Sequence, residues 1–142
     1  MVLMNHQTKI RVIYKDTDAG GVVYYANYLG FFEQGRTEYI RSLGFSLKAY
    51  EQRGVLFAVE HVDCNYNSPA FYDDEVVIET EAEKITGARI VFFQKCCRGN
   101  QPLVTARTTL FAMDVKNFRP MRIPQEFLEK IRDNSLHIES KT

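Results

Sequence analysis

The run Asp16-Thr-Asp-Ala-Gly-Gly-Val-Val-Tyr-Tyr-Ala-Asn-Tyr28 concentrates the residue types able to do chemistry. Asp18 stands just ahead of a segment with helical spacing, and Gly20 and Gly21 leave room for a ligand to approach the backbone. The first N–H groups of a helix have no intrahelical partners and favour anions. Three readings fit these residues. Asp18 caps the helix, a place where Asp is favoured. The D-x-D pattern begins a calcium loop, although an EF-hand wants Asp or Asn at residue 20 and Glu at residue 27, where this chain has Gly20 and Asn27. Or Asp18 attacks a carbonyl or activates water while backbone N–H donors stabilise the oxyanion.

Other reactive residues are scattered. His6, His61 and His137 have no partners at metal-ligand spacing, so no metal is expected. Cys64, Cys96 and Cys97 lack a CxxC pattern, and an odd count reads as reduced thiols in a cytoplasmic protein. The adjacent Cys96 and Cys97 are expected on opposite faces of a strand. Glu33 and Arg36, three apart on the helix, are expected to form an ion pair, with entry of Glu33 into a substrate pocket as the alternative. Asp73-Asp74-Glu75 reads as a solvated turn, and Tyr24, Tyr28 and Tyr39 as core.

The elements that must position Asp18 follow from periodicity. Thr8 to Tyr14 alternates, with Ile10, Val12 and Tyr14 on one face of a strand. From Val22 to Leu43 the apolar spacing becomes helical through Tyr25, Leu29, Phe32, Arg36, Tyr39, Ile40 and Leu43, with Gly44 as the stop. Apolar residues around most of its girth predict a largely enclosed helix. Gly30 and Gly35 fit such a helix where a strand packs close against it. A short turn of helix, Ser46 to Arg53, follows. Strands are expected at Phe57–Tyr66, Glu75–Ile85, Ala88–Cys97 and Leu103–Met113, with a tight turn at Thr86-Gly87. Pro124 opens a last short helix to Arg132, and the tail from Asn134 to Thr142 is polar. Short turns force antiparallel pairing. The expected fold is therefore α+β, an antiparallel five-stranded sheet wrapped around one long central helix. Its open edges call for self-pairing into a homodimer or homotetramer.

Residues 1–142 fit one domain. Eighteen basic side chains balance eighteen acidic ones, which argues against nucleic-acid binding through bulk positive charge. No apolar run approaches the roughly 20 residues of a membrane span, and Met1 to His6 is too short for a signal peptide.

The segment Arg11 to Gly44, with Asp-Thr-Asp-Ala-Gly-Gly-Val-Val-Tyr, Ala-Asn-Tyr-Leu and Phe-Glu-Gln-Gly-Arg-Thr-Glu, resembles the 4-hydroxybenzoyl-CoA thioesterase family, nearest its YbgC-type acyl-CoA thioesterases. The likeness continues more weakly through Pro69-Ala70 and Asp73-Asp74 to about Met113. It implies the hotdog fold and hydrolysis of an acyl-CoA without any cofactor beyond the coenzyme A of substrate and product. It implies Asp18 as the catalytic carboxylate, the Tyr25 backbone N–H as oxyanion donor, and a ligand at a dimer interface. Many members carry His where this chain has Tyr25, a change to which a backbone donor is indifferent. Phe57 and Ala58 fall where the family pocket is lined, and Glu33 matches an acidic pocket position. Arg89 is the substrate-binding candidate in the hairpin, with Lys95, Arg98, Arg119 and Arg122 as further partners for coenzyme A phosphates. The alternatives are an acyl-carrier-protein thioesterase and a non-catalytic acyl-thioester binding protein.

Overall fold

Alternating apolar and polar residues build five long strands in a computed structural model that describes residues 6–135 and the backbone of 139–140. These are β1 (His6–Arg11), β2 (Val55–Tyr66), β3 (Glu75–Ile85), β4 (Arg89–Arg98) and β5 (Gln101–Asp114). They lie in the order β1-β3-β4-β5-β2, with each neighbouring pair antiparallel. Two short strands extend the sheet beyond the expected five. β6 (Arg119–Met121) pairs with β5, and β7 (Glu139–Ser140) runs parallel to the end of β3. The polar tail is therefore partly paired, and its remainder lies outside the described residues, as do Met1 to Asn5 and His137.

The central helix, α1 (Asn27–Ser42), starts five residues later than its spacing predicts. The β-branched Val22 and Val23 are taken by extended pairing, Val22 bridging Phe71 and Val23 bridging Thr17. Gly44, at φ +92°, ends the helix region as expected. β1 is also displaced. Its pairing ends at Arg11, and a 3-10 turn over Tyr14–Asp16 swings Tyr14 out to 80% exposure. The Asp16 carboxylate accepts from the Ile13 N–H and closes that turn.

α1 buries one side only: Tyr28, Phe31, Phe32, Gly35, Arg36, Tyr39 and Ile40. The expected enclosure fails because Leu29, Gly30, Glu33 and Gln34 are exposed. Two apolar clusters hold the helix. One joins Tyr28, Phe31 and Phe32 to Val12, Ile78 and Leu103. The other joins Tyr39 and Ile40 to Phe92, to Tyr50 of α2 (Leu47–Gln52), and to Phe127 of α3 (Gln125–Asp133). Burial of each large side chain contributes about 1.5–3 kcal/mol.

Between the clusters the inward rows turn polar on three neighbouring strands: Thr80 on β3 lies opposite Gln94 on β4, and Thr108 on β5 lies one inward step along, opposite Phe92; all three are fully or nearly buried. Gly35 meets them. A Cβ there would lie 2.6 Å from Ile78 Cγ2 and 3.0 Å from both Gln94 Nε2 and Thr80 Oγ1, so only glycine lets helix and sheet approach this closely. A Cβ at Gly30 would meet nothing within 4 Å, so close strand packing explains one of the two glycines. Cys96 and Cys97 are both buried, contrary to strict alternation, because a bulge interrupts the β4–β5 register between them. Burial pushes the Cys96 thiol up to about 12.

Candidate active site

Asp18 is not the cap of α1. It lies on an exposed loop nine residues before Asn27, and the helix N-cap, Ala26, makes no side-chain cap bond. The loop is folded by its own backbone: the Asp18 N–H donates to Val22 O at 2.9 Å and the Gly21 N–H to Asp18 O at 3.0 Å. Gly21 adopts φ +80°, a conformation that suits glycine. The Asp18 carboxylate accepts from the Gly20 N–H through Oδ1 at 2.8 Å, and Oδ2 has no partner among the described residues. The Asp18 carboxylate is thus held by a turn rather than by a helix dipole.

The loop then runs into the helix. Tyr24 N–H donates to Asp16 O and Asn27 N–H to Tyr24 O, which leaves the intervening Tyr25 N–H without an acceptor among the described residues. Its carbonyl accepts from the Tyr66 hydroxyl at 3.1 Å. The Tyr25 ring, 62% exposed, packs against Tyr24 at 4.9 Å and Tyr66 at 6.2 Å between centroids. The Tyr24 hydroxyl is pushed up, first by its hydrogen bond with Tyr25, with the Asp18 charge adding to it. Tyr25, Tyr28 and Tyr66 line a cavity of about 260 Å³ with Val23, Asn67 and Pro69.

Further along the outer side of α1, a cavity of about 360 Å³ opens between the helix and β2. Leu29, Glu33, Arg36, Phe57, Val59 and Val62 are among its walls. A bulge between Val59 and His61 changes the alternation, so that Val59 and Val62 both face it. Glu33 and Phe57 are therefore brought together, and the Phe57 ring also stacks on Phe127 at 4.7 Å. Ala58 is not among the lining residues of this cavity; its side chain alternates to the other face. Arg89 is elsewhere. It grips Glu60 with Nε at 2.6 Å and Nη2 at 2.9 Å, beside a separate cavity lined by Arg122, Pro120 and Met121.

The expected Glu33–Arg36 ion pair is absent from the described residues. Arg36 turns inward, 8% exposed, and its Nη1 donates to Gln94 Oε1 at 3.1 Å and Thr108 Oγ1 at 3.4 Å. Gln94 Nε2 in turn donates to Phe32 O and to Thr80 Oγ1. Burial lowers the guanidinium pKa, with the Glu33 charge pulling it back up. Arg36 is the pocket residue that sequence reasoning missed. Its signal was a cation within an otherwise apolar helical stripe. The His6 ring lies 6.1 Å from that of Tyr39 on α1. Among the described residues, no group of three or more His, Cys, Asp or Glu could hold a metal, and no helix is long and apolar enough to cross a membrane.

Comparison with known proteins places this geometry. The model of the thioesterase-like superfamily matches residues 12–131. The acyl-CoA thioesterase YbgC of Haemophilus influenzae is 40% identical over 118 residues, covering 82% of this chain and 87% of that protein. The acyl-CoA thioester hydrolase YbgC of Escherichia coli is 35% identical over 124 residues, 87% of this chain and 92% of that one. Among solved structures, a probable thioesterase from Bartonella henselae superposes with a TM-score of 0.80 at 35% identity, covering 84% of this chain and 98% of its own. With the hotdog architecture and these relatives in agreement, the chain belongs to the thioesterase-like superfamily and is a thioester hydrolase.

Proposed function

We infer that this protein hydrolyses acyl-CoA thioesters, with Asp18 as the catalytic carboxylate and the Tyr25 N–H as oxyanion donor. The observation that carries the reading is a pair of free groups on one loop: Asp18 Oδ2 and the Tyr25 N–H, neither with a partner among the described residues. The carbonyl oxygen accepts from Tyr25 as charge develops on it. Asp18 either attacks the carbonyl carbon, giving a mixed anhydride that water then cleaves, or takes the proton of the attacking water. In both routes the acyl carbon–sulfur bond breaks, a carbon–oxygen bond forms from water, and the thiolate leaves and is protonated. A thiol of pKa about 8.5 leaves without an obligatory acid, so one carboxylate and one oxyanion donor suffice.

Cavities along α1 and β2 receive the acyl group, with Glu33 and Phe57 in the wall. Of the basic side chains suggested for coenzyme A, Arg89 is engaged by Glu60 and Arg98 by Asp74. That leaves Lys95, Arg119 and Arg122, of which Arg122 lines the cavity beside Arg89. The outer edge of β2, with the exposed Val59 and Tyr66 and the neighbouring Leu29 of α1, is the surface for self-pairing into a dimer. Three free cysteines fit a cytoplasmic setting. The test is thiol release from a series of acyl-CoA substrates by the native protein and by Asp18→Asn. Hydrolysis by the native protein and its loss in a folded variant support the reading, and equal turnover by the two proteins refutes the role of Asp18. Faster hydrolysis of an acyl-carrier-protein thioester than of the matching coenzyme A thioester would transfer the chemistry to the protein-bound substrate.

A further inference from the structure

Buried charges in proteins are normally paired, because removing an ion from water is expensive. Arg36 breaks this pattern. It is 92% buried and forms no ion pair among the described residues, and its only protein acceptors are two neutral oxygens, both on Nη1. Nε and Nη2 have no acceptor among the described residues. They are not sealed orphans either, since the only buried side-chain nitrogen without a partner among the described residues is Arg132 Nε. Arg36 lines the 360 Å³ cavity, the space from which a ligand could reach these nitrogens. The seam of Thr80, Gln94 and Thr108 fixes its other side, so the fork is held in place before any ligand arrives.

The rest of the cavity is mostly apolar, through Leu29, Phe32, Ile40, Phe57, Val59 and Leu110. α1 rises about 1.5 Å per residue, so Arg36 lies about 10 Å along the groove from Leu29. We propose that Arg36 is the specificity-determining residue of the acyl cavity, and that it selects acyl groups bearing a carboxylate at the end remote from the thioester. The substrate class is the coenzyme A half-thioester of a dicarboxylic acid. The apolar walls take the methylene chain. The carboxylate takes the free Nε–H and Nη2–H donors, the bidentate geometry in which arginine binds carboxylates best, and supplies a counter-charge in direct contact, where Glu33 acts on the guanidinium without forming an ion pair among the described residues. A plain alkyl chain of the same length would cover those donors and leave them unbonded. Glu33, exposed on the same wall, opposes an anion at the mouth and so sharpens the requirement that the carboxylate reach Arg36.

This rests on the reading that the cavity holds the acyl group, and the experiment separates the two. Thiol release is measured with hexanoyl-CoA against adipoyl-CoA and octanoyl-CoA against suberoyl-CoA, for the native protein, Arg36→Lys and Arg36→Met. The native protein is expected to favour at least one carboxyacyl member over its plain partner by about 10- to 100-fold in kcat/KM, chiefly through KM. Arg36→Met should reverse that ratio, and Arg36→Lys should retain part of it while keeping the charge. A thermal melt confirms that each variant is folded. If Arg36→Met does not fold, the native and Arg36→Lys ratios decide. A native preference for the plain chain at both lengths overturns the proposal, as does an unchanged ratio in Arg36→Met. The first of these outcomes would mean that Glu33 already balances the guanidinium. Robust hydrolysis of plain substrates without discrimination leaves the thioesterase reading intact and refutes only the role of Arg36.

Discussion

The Asp18 loop and the Arg36 seam are opposites in construction. Asp18 is an exposed anion on a glycine-rich turn, held by one short-range bond from Gly20. Arg36 is a buried cation on a long helix, held by side chains from β4 and β5 that are 58 and 72 residues away in the chain. Each keeps unused bonding capacity, but of opposite sign: acceptor lone pairs at one, N–H donors at the other. A group that must meet a reacting atom needs access and can be supported locally. A group that must discriminate between ligands needs fixed geometry and low dielectric, which only long-range packing supplies. The difference predicts that damage to the loop removes rate and leaves the fold, whereas damage to the seam removes stability.

The largest effect should come from Asp18→Asn. The amide keeps Oδ1 as an acceptor for Gly20 but loses the charge, so turnover should fall about 10²- to 10⁴-fold while the melting temperature hardly moves. A steady-state thiol-release assay beside a thermal melt checks both halves. At the seam the order inverts. Gln94→Leu removes the nearer of the two acceptors of Arg36 Nη1 and the donor to Phe32 O together, and should cost about 2–3 kcal/mol in urea unfolding. The two helix glycines then test whether the seam is as tight as its distances say. Gly35→Ala forces Ile78, Gln94 and Thr80 apart and should destabilise by about 1–3 kcal/mol despite better helix propensity. Gly30→Ala, on the open side of the same helix, should stabilise by up to about 1 kcal/mol. Equal signs for the two would mean that the contact at Gly35 relaxes without strain.

The same contrast explains what could be read from the sequence. β3 is found where alternation puts it, because Val76, Ile78 and Ala82 face a core at period two, and a bulge between Ala82 and Lys84 brings Ile85 to the same side. The start of α1 was misplaced because Val22 and Val23 extend the helical spacing while their partners, Phe71 and Thr17, are fixed only by folding. Asp18, Tyr25 and Glu33 stand out as candidates in the sequence because their neighbours carry the motif, and their roles are what the Asp18→Asn assay tests. Ala58 lies apart from Phe57 since alternation sends it to the opposite face, and Arg89 lies apart from both because Glu60, twenty-nine residues away, engages it. Arg36 was taken for half of a local pair because i,i+3 spacing is visible in a sequence, whereas Gln94 and Thr108 reach it across the sheet. Thr80, Gln94 and Thr108 each interrupt an inward apolar row, a trace that becomes legible once the three strands are aligned.

The smallest effect tests the support beneath the reactive loop. Val22 and Val23 lean on the segment around Phe71, where Asp73 adopts φ +69° and the Asp74 carboxylate ties the turn together. Asp74 Oδ2 accepts from the Phe71 N–H at 2.9 Å and from Arg98 Nη1 at 2.8 Å. Burial alone would raise its pKa, but these two donors outweigh burial and hold the carboxyl below its ordinary 3.8. A carboxyl depressed in the folded state stabilises the fold above its unfolded pKa and loses that contribution as pH falls through the folded value. The contribution is thus whole near neutrality and shrinks from about pH 4 downward, with a size of about 1 kcal/mol or less for so accessible a pair. Unfolding free energies of the native protein and Asp74→Asn should therefore differ most near pH 6 and converge toward pH 3. Because Val22 and Val23 pair with this segment, turnover at Asp18 should decline over the same acid range sooner in Asp74→Asn than in the native protein. A stability gap that stays constant down to pH 3 would mean that the turn is held by its backbone bonds and by packing of Arg98 on Phe71, and that the Asp74 charge adds nothing to the footing of the loop.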